Sequence, residues 1–162
     1  RRKQQKRKNK VAIEIERYTA ERIADALAFE NELRKQEPYF TWDIGEKYQR
    51  DVKNSFESPQ FDGSISLLAY DGDKVVGRID SALIASHFDG SIKAYLDWIC
   101  VLPSHRHSGT AQMLMQSLRE ALKERGVGTL IGLMAENDEA QRFYRAMENA
   151  LIRDEGIWID IV

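Results

Sequence analysis

The sequence predicts one α/β domain of the α+β kind over residues 11–162, a mixed sheet covered by helices, preceded by a short basic tail at residues 1–10. Three observations predict it. Apolar residues alternate in some segments and recur at helical spacing in others, in the order β-α-α-β-β-β-α-β-α-β-β. Asp71-Gly72 lies between two alternating runs, which is a hairpin signal. Val101–Ala111 (VLPSHRHSGTA) ends an apolar strand in a Pro-containing turn and meets a glycine at the mouth of a helix.

Each element has its own local cause. Val11–Tyr18 alternates Val11, Ile13 and Ile15 with polar residues and reads as a strand. Thr19 can cap a helix that runs to about Lys35, with Ile23, Leu27, Phe29 or the neighbours of Glu30, and Leu33 as its buried stripe, and Pro38 ends it. A second helix over Gly45–Phe56 carries Tyr48, Val52 and Phe56 at four-residue spacing. Ser64–Tyr70 and Lys74–Ala85 are the two strands of the hairpin, and His87–Ser91 turns the chain into Tyr95–Val101, rich in aromatic and β-branched residues. Pro103 cannot continue a central ladder, so that strand stops. From about Ser108, Ala111, Leu114, Met115, Leu118 and Leu122 repeat at helical spacing until Arg125-Gly126. Thr129–Ala135 is the next strand, Asn137 opens the next helix, and Leu151–Val162 supplies the last strands, which could also pair across a homodimer.

Composition narrows the class. A hydrophobic content of 43% suits a globular chain, and no apolar run approaches the roughly 20 residues of a membrane span. Cys100 is the single cysteine, so no internal disulfide and no cysteine-only zinc site can form, and His87, His105 and His107 lack metal-ligand spacing. These facts favour a cytoplasmic location and no metal. Residues 1–10 carry seven Lys or Arg and no acid, which leaves 17 basic and 26 acidic residues in the remainder, a net of −9. The acidic body would attract a cationic acceptor, and the tail reads as a solvated extension with no nucleic-acid partner expected.

The segment at 101–111 suits an anion. The first turn of a helix leaves backbone N–H groups without partners, and the macrodipole adds partial positive charge. Gly109 has no side chain to obstruct a close approach, Arg106 and His107 add charge at the rim, and Ser108 and Thr110 offer hydroxyls. The competing reading is an ordinary helix entry with Ser108 as N-cap.

Written out, V-x-P-x-x-R-x-x-G-x-A resembles the pyrophosphate-binding motif of the GNAT superfamily of N-acetyltransferases, with Ala111 where many members have a second glycine. Asn137–Tyr144 (NDEAQRFY) resembles the family's N-x-x-A-x-x-F-Y helix. The likeness covers Val75 to about Met147, and before that only the order of elements. The chain departs from the family after that helix, where AMENALIRDEGIWIDIV has no glycine at the usual G-F turn.

This resemblance implies a mostly antiparallel sheet of about seven strands with about four helices, splayed between its fourth and fifth strands. It also implies acetyl-CoA as cosubstrate, its pantetheine arm beside the backbone of Ile99, Cys100 and Val101 and its diphosphate on Arg106, His107, Ser108, Gly109, Thr110 and Ala111. Asn137 would touch the pantetheine, or simply cap its helix. Tyr144 matches the general acid that protonates the leaving thiolate, against the alternative of core filling with Phe143. Asp97, expected half-buried between Leu96 and Trp98, is the candidate base, with Asp80 and Glu136 weaker. Cys100 reads as a buried inert thiol rather than a nucleophile. Tyr39, Phe40 and Trp42 would form an aromatic wall for the acceptor, with Asp80, or merely pack the connection between the helices.

Transfer of an acetyl group to a primary amine of a small molecule or peptide, by direct attack, is therefore the expected activity. A domain that binds acyl-CoA without catalysis, or a nucleic-acid-associated module using the basic tail, is the alternative. Nothing in the loop measures the length of the acyl chain.

Overall fold

Gly72, at φ +64°, closes a two-residue turn between paired Asp71 and Lys74, so the hairpin read from Asp71-Gly72 is formed. Only a residue without Cβ takes that conformation freely. The computed structural model describes residues 12–161; the basic run at 1–10, Val11 and Val162 lie outside the described residues. Its strands are β1 (Ile13–Arg17), β2 (Ile65–Asp71), β3 (Lys74–Ala85), β4 (Ile92–Val101) and β5 (Leu130–Gly132). The helices are α1 (Ile23–Gln36), α2 (Glu46–Ser55), α3 (Thr110–Glu124) and α4 (Asp138–Arg145), with short 3-10 turns at Ala20–Arg22, Pro59–Phe61 and Pro103–His105.

The sheet runs β1-β2-β3-β4-β5, antiparallel except that β5 lies parallel to β4. Its two faces can be told apart at β3. A Cβ on Gly77 would meet Leu114 of α3 at 3.1 Å, whereas the next residue, Arg78, reaches Glu30 of α1. Successive strand residues point to opposite faces, so α1 and α3 cover opposite sides. On the α3 side Leu114, Met115, Leu118 and Leu122 are all buried, as their spacing predicts. Burying a side chain such as Leu118 contributes roughly 1.5–3 kcal/mol. Helix α3 stops where Gly126 and Val127 donate to the carbonyls of Lys123 and Leu122, which satisfies its last turn.

Two expectations need correction. The buried stripe of α1 is Ala26, Phe29, Glu30 and Leu33, with a carboxylate in the middle of it. Among the described residues the sheet has five strands, not about seven. β5 is only three residues long, and Leu151–Ile161 has no regular secondary structure. Arg153-Asp154-Glu155-Gly156 breaks the apolar run there, Asn149 and Asp154 both sit at φ +63°, and so short a β5 offers little edge to pair with. Leu151, Ile157, Trp158 and Ile161 are left exposed.

Candidate active site

The site begins where the sheet forks. β4 and β5 pair only from Ala94–Leu96 to Leu130–Gly132. β4 then runs on to Val101 paired with β3 alone, and the chain beyond Gly132 leaves the ladder. The register steps from Ser81↔Leu96 to Asp80↔Trp98, so Asp97 is an extra, bulged residue. It is exposed, not half-buried, because a bulged residue faces no cross-strand partner.

The bulge also decides which backbone groups face the fork. Ala94 N–H donates to Thr129 O towards β5, whereas Leu102 N–H donates to Val76 O towards β3. Strand alternation therefore turns the N–H and C=O groups of Ile99 and Val101 into the open side, and gives those of Cys100 to β3. The Cys100 side chain is buried, and burial pushes its thiol up to about 12.

Past Val101, the Pro103–His105 turn leads into a loop in which His107 has φ +57° and Gly109 φ +89°. Gly109, rather than Ser108, is the N-cap of α3, and no side chain caps that helix. The Ser108 hydroxyl donates instead to His105 O and lies 3.0 Å from Thr110 Oγ1. Among the described residues, the backbone N–H groups of residues 107–112 find no acceptor. Six unpaired donors thus lie at the positive end of a 15-residue helix, a cradle whose chemistry suits an anion, and apart from its chain neighbours nothing described stands within 4 Å of where a Gly109 Cβ would lie.

Arg106 is not a free cation on the rim of that cradle. Its Nε donates to Val101 O at 2.8 Å, its Nη1 and Nη2 each hold a Glu37 oxygen at 2.7 Å, and Nη1 also reaches Glu139 of α4 at 3.1 Å. These hydrogen bonds, Glu37 first, raise the guanidinium above its ordinary value. Burial alone would raise the Glu37 carboxyl, but the bonds from Arg106 and Tyr39 outweigh it and hold the group below its usual range.

Helix α4 approaches the loop through Glu139, which reaches Arg106. Asn137 Oδ1 accepts from Ala140 N–H at 2.9 Å, so Asn137 does cap its helix. Tyr144 is half-buried, edge-on to Phe143 at 5.3 Å, and its hydroxyl makes no hydrogen bond among the described residues. Burial, and then the Tyr95 phenol, raise its pKa. A groove of about 220 Å³ runs between α3 and α4, lined by Gln112, Met115, Gln116, Arg119, Phe143 and Met147 among others.

Aromatic residues gather on the α1 side. Phe40 and Trp42 pack edge-on against Trp98 of β4, Tyr39 tilts against Phe40, and Arg34 stacks on Trp42 at 4.7 Å. Tyr39 is 68% and Trp42 40% exposed, so the wall has an open face. Asp80 lies opposite Trp98, but its carboxylate is held at both oxygens by Arg78, at 2.6 and 3.1 Å. Arg78 and Arg34 both also reach buried Glu30.

The sequence reading missed Glu30, Arg78, Glu37 and Trp98. For Glu37 a signal existed: an acid at a helix C-terminus opposes the macrodipole and calls for a cation. Among the described residues there is no group of three or more His, Cys, Asp or Glu that could hold a metal ion, and no helix long and apolar enough to cross a membrane.

Residues 27–148 match the model of the acetyltransferase (GNAT) family. Solved structures share the fold at low identity. An aminoglycoside acetyltransferase from an uncultured soil metagenomic sample, in complex with trehalose, is 14% identical with a TM-score of 0.79, over 93% of this chain and 96% of that one. A ribosomal-protein-alanine N-acetyltransferase from Brucella melitensis biovar Abortus 2308 is 15% identical with a TM-score of 0.70, over 93% and 99%. AAC(6')-Iy, in complex with the bisubstrate analog CoA-S-monomethyl-acetylneamine, is 17% identical with a TM-score of 0.70, over 92% and 97%. No curated protein matches by sequence.

Proposed function

The chain belongs to the acetyltransferase (GNAT) family, and from that premise we propose that it transfers an acetyl group from acetyl-CoA to a primary amine of a small-molecule or peptide acceptor. The observation that carries this reading is the forked sheet opening onto the cradle of unpaired N–H groups at residues 107–112. A diphosphate suits those donors, and an amide-bearing arm suits the open edge of β4 at Ile99 and at the Val101 N–H, the Val101 carbonyl being held by Arg106. Bound there, acetyl-CoA supplies an activated acetyl thioester; the remaining tasks fall to the chain's own groups.

A backbone N–H on that edge can stabilise charge as it grows on the reacting carbonyl oxygen. Tyr144 serves as the general acid. Its raised pKa keeps the phenol protonated at neutral pH, ready to give its proton to the departing sulfur. Asp97, exposed at the bulge, receives the proton that an ammonium must lose before it can attack. Asn137 holds the start of α4, and so the Tyr144 helix, in place.

The acceptor rests against Tyr39 and Trp42, with Asp80 opposite Trp98 at the inner side of the wall. Aromatic faces attract cations, and the net charge of −9 over residues 11–162 adds a long-range pull. Aminoglycosides, which several proteins of like fold acetylate by their names, are polycationic amines of this kind.

The test is a panel of primary amines (aminoglycosides, polyamines, amino acids and peptides) incubated with acetyl-CoA while free CoA is read. Amine-dependent release is the expected outcome. A flat panel with CoA binding retained would favour a binding module without catalysis.

A further inference from the structure

Resting on the acetyltransferase reading above, we propose that Glu37 is a positioning residue that couples the cofactor loop to the acceptor wall, through Arg106 on one side and Tyr39 on the other. The two sides meet on a single atom. Glu37 Oε1 accepts from Arg106 Nη1 and from the Tyr39 hydroxyl, each at 2.7 Å, while Oε2 takes Arg106 Nη2 at the same distance. The Glu37 side chain is 11% and that of Arg106 20% exposed, so water screens the pair poorly.

The geometry supplies a path in each direction. Val101 O faces the fork and is held by Arg106 Nε at 2.8 Å. A ligand laid along that edge meets the carbonyl and the guanidinium directly, and must either share the bond or displace it. Two parallel bonds make the Arg106–Glu37 joint rigid, so a displaced guanidinium carries Glu37 with it. Tyr39 follows, and with it the wall that it begins. Trp42, at the other end of the wall, is tied to the same helix, since Arg34 donates to its carbonyl at 3.1 Å. Helix α1 thus sets the wall at both ends, and binding at one half of the site alters the other by the same factor in either direction.

The test uses the whole chain carrying Trp158→Phe, so that among the three tryptophans only Trp42 and Trp98 report. Coenzyme A is titrated, and acrylamide quenching of the tryptophans is read beside its affinity. CoA should change the quenching of this parent. Glu37→Gln and Tyr39→Phe, each made on that background, should bind CoA within about two-fold of the parent but lose the quenching change. Tyr39→Phe removes one hydroxyl, and with it one bond to Glu37, from a residue that is 68% exposed, so it answers the question even where Glu37→Gln disturbs folding. Variants that keep the change, or a parent that binds CoA without showing it, overturn the coupling and leave the acetyltransferase reading standing. A folded parent that binds no CoA removes both.

Discussion

Arg106 Nε donates to the Val101 carbonyl at 2.8 Å, so a side chain five residues further on completes a hydrogen bond that the sheet leaves open. Val101 is buried, and a buried carbonyl without a donor is costly. The fork that exposes the β4 edge is therefore held by the same residue that grips Glu37 and Glu139.

Arg106→Ala should accordingly cost about 3 kcal/mol of unfolding free energy, because it strands the Glu37 carboxylate as well as the carbonyl. Arg106→Lys should fall between wild type and Ala. It keeps the charge but cannot offer the planar fork that serves Val101 and both Glu37 oxygens together. Urea unfolding of the three proteins measures this, and equal stability of Lys and Arg would contradict it.

Gly109→Ala should weaken CoA binding far more than it weakens the fold. At φ +89° an alanine costs about 1–2 kcal/mol wherever it points, which corresponds to a fall in melting temperature of several degrees. Among the described residues, and apart from its chain neighbours, no atom lies within 4 Å of the new Cβ, so the fold has room for it, but an anion seated on the cradle does not. Calorimetric titration with CoA beside a thermal melt separates the two effects.

Tyr144→Phe should lower kcat by about 10²–10³-fold while leaving CoA affinity unchanged. As the proposed general acid Tyr144 acts in its protonated form, and its pKa is raised above 10.0, so wild-type kcat should hold through neutral pH and fall only above that value. The Phe variant should lack that descending limb. Unchanged turnover would remove Tyr144 from the mechanism.

Patterns that repeat locally were legible from residue order, and pairings between distant residues were not. Leu114, Met115, Leu118 and Leu122 announce the buried face of α3, and Asp71-Gly72 announces its hairpin, because each signal sits within a turn or two of chain. The unpaired N–H groups at residues 107–112 were legible for the same reason, since they belong to one contiguous loop. Arg106 reads as a rim cation until the fold brings Glu37 to it from 69 residues away. Asp97 reads as half-buried because its exposure follows from a register shift against β3, which its own neighbours do not encode. Leu151–Ile161 reads as strands because its apolar content is high, but a strand also needs an edge, and β5 offers three residues.

Glu30→Ala should cost about 3 kcal/mol, far more than removing a surface acid. Glu30 is 3% exposed and anchors Arg34 at 2.8 Å and Arg78 at 3.4 Å. Arg34 also carries Trp42, so the same variant should loosen the wall and raise KM for the amine while CoA affinity stays. Denaturation together with the KM values for both substrates tests the pair of effects.

Cys100 offers a pH test of burial on β4. Its thiol is raised from 9.0 to about 12, with desolvation the largest cause. Below pH 9 the thiol is protonated both folded and unfolded, so its contribution is fully present. As pH rises from 9 towards 12 the unfolded chain releases the proton and the folded one keeps it, so stability falls by about 1.4 kcal/mol per pH unit. Other groups titrate in that range, and the comparison that isolates the thiol is wild type against Cys100→Ala. The stability difference between them should shift against wild type with that slope above pH 9 and stay flat below it. Ellman's reagent should label native Cys100 only at the rate at which the strand opens, since a buried neutral thiol is a poor nucleophile. Rapid labelling at pH 8 would mean that the thiol is ionised and reachable on the folded strand, and that the burial assigned to this part of β4 is wrong.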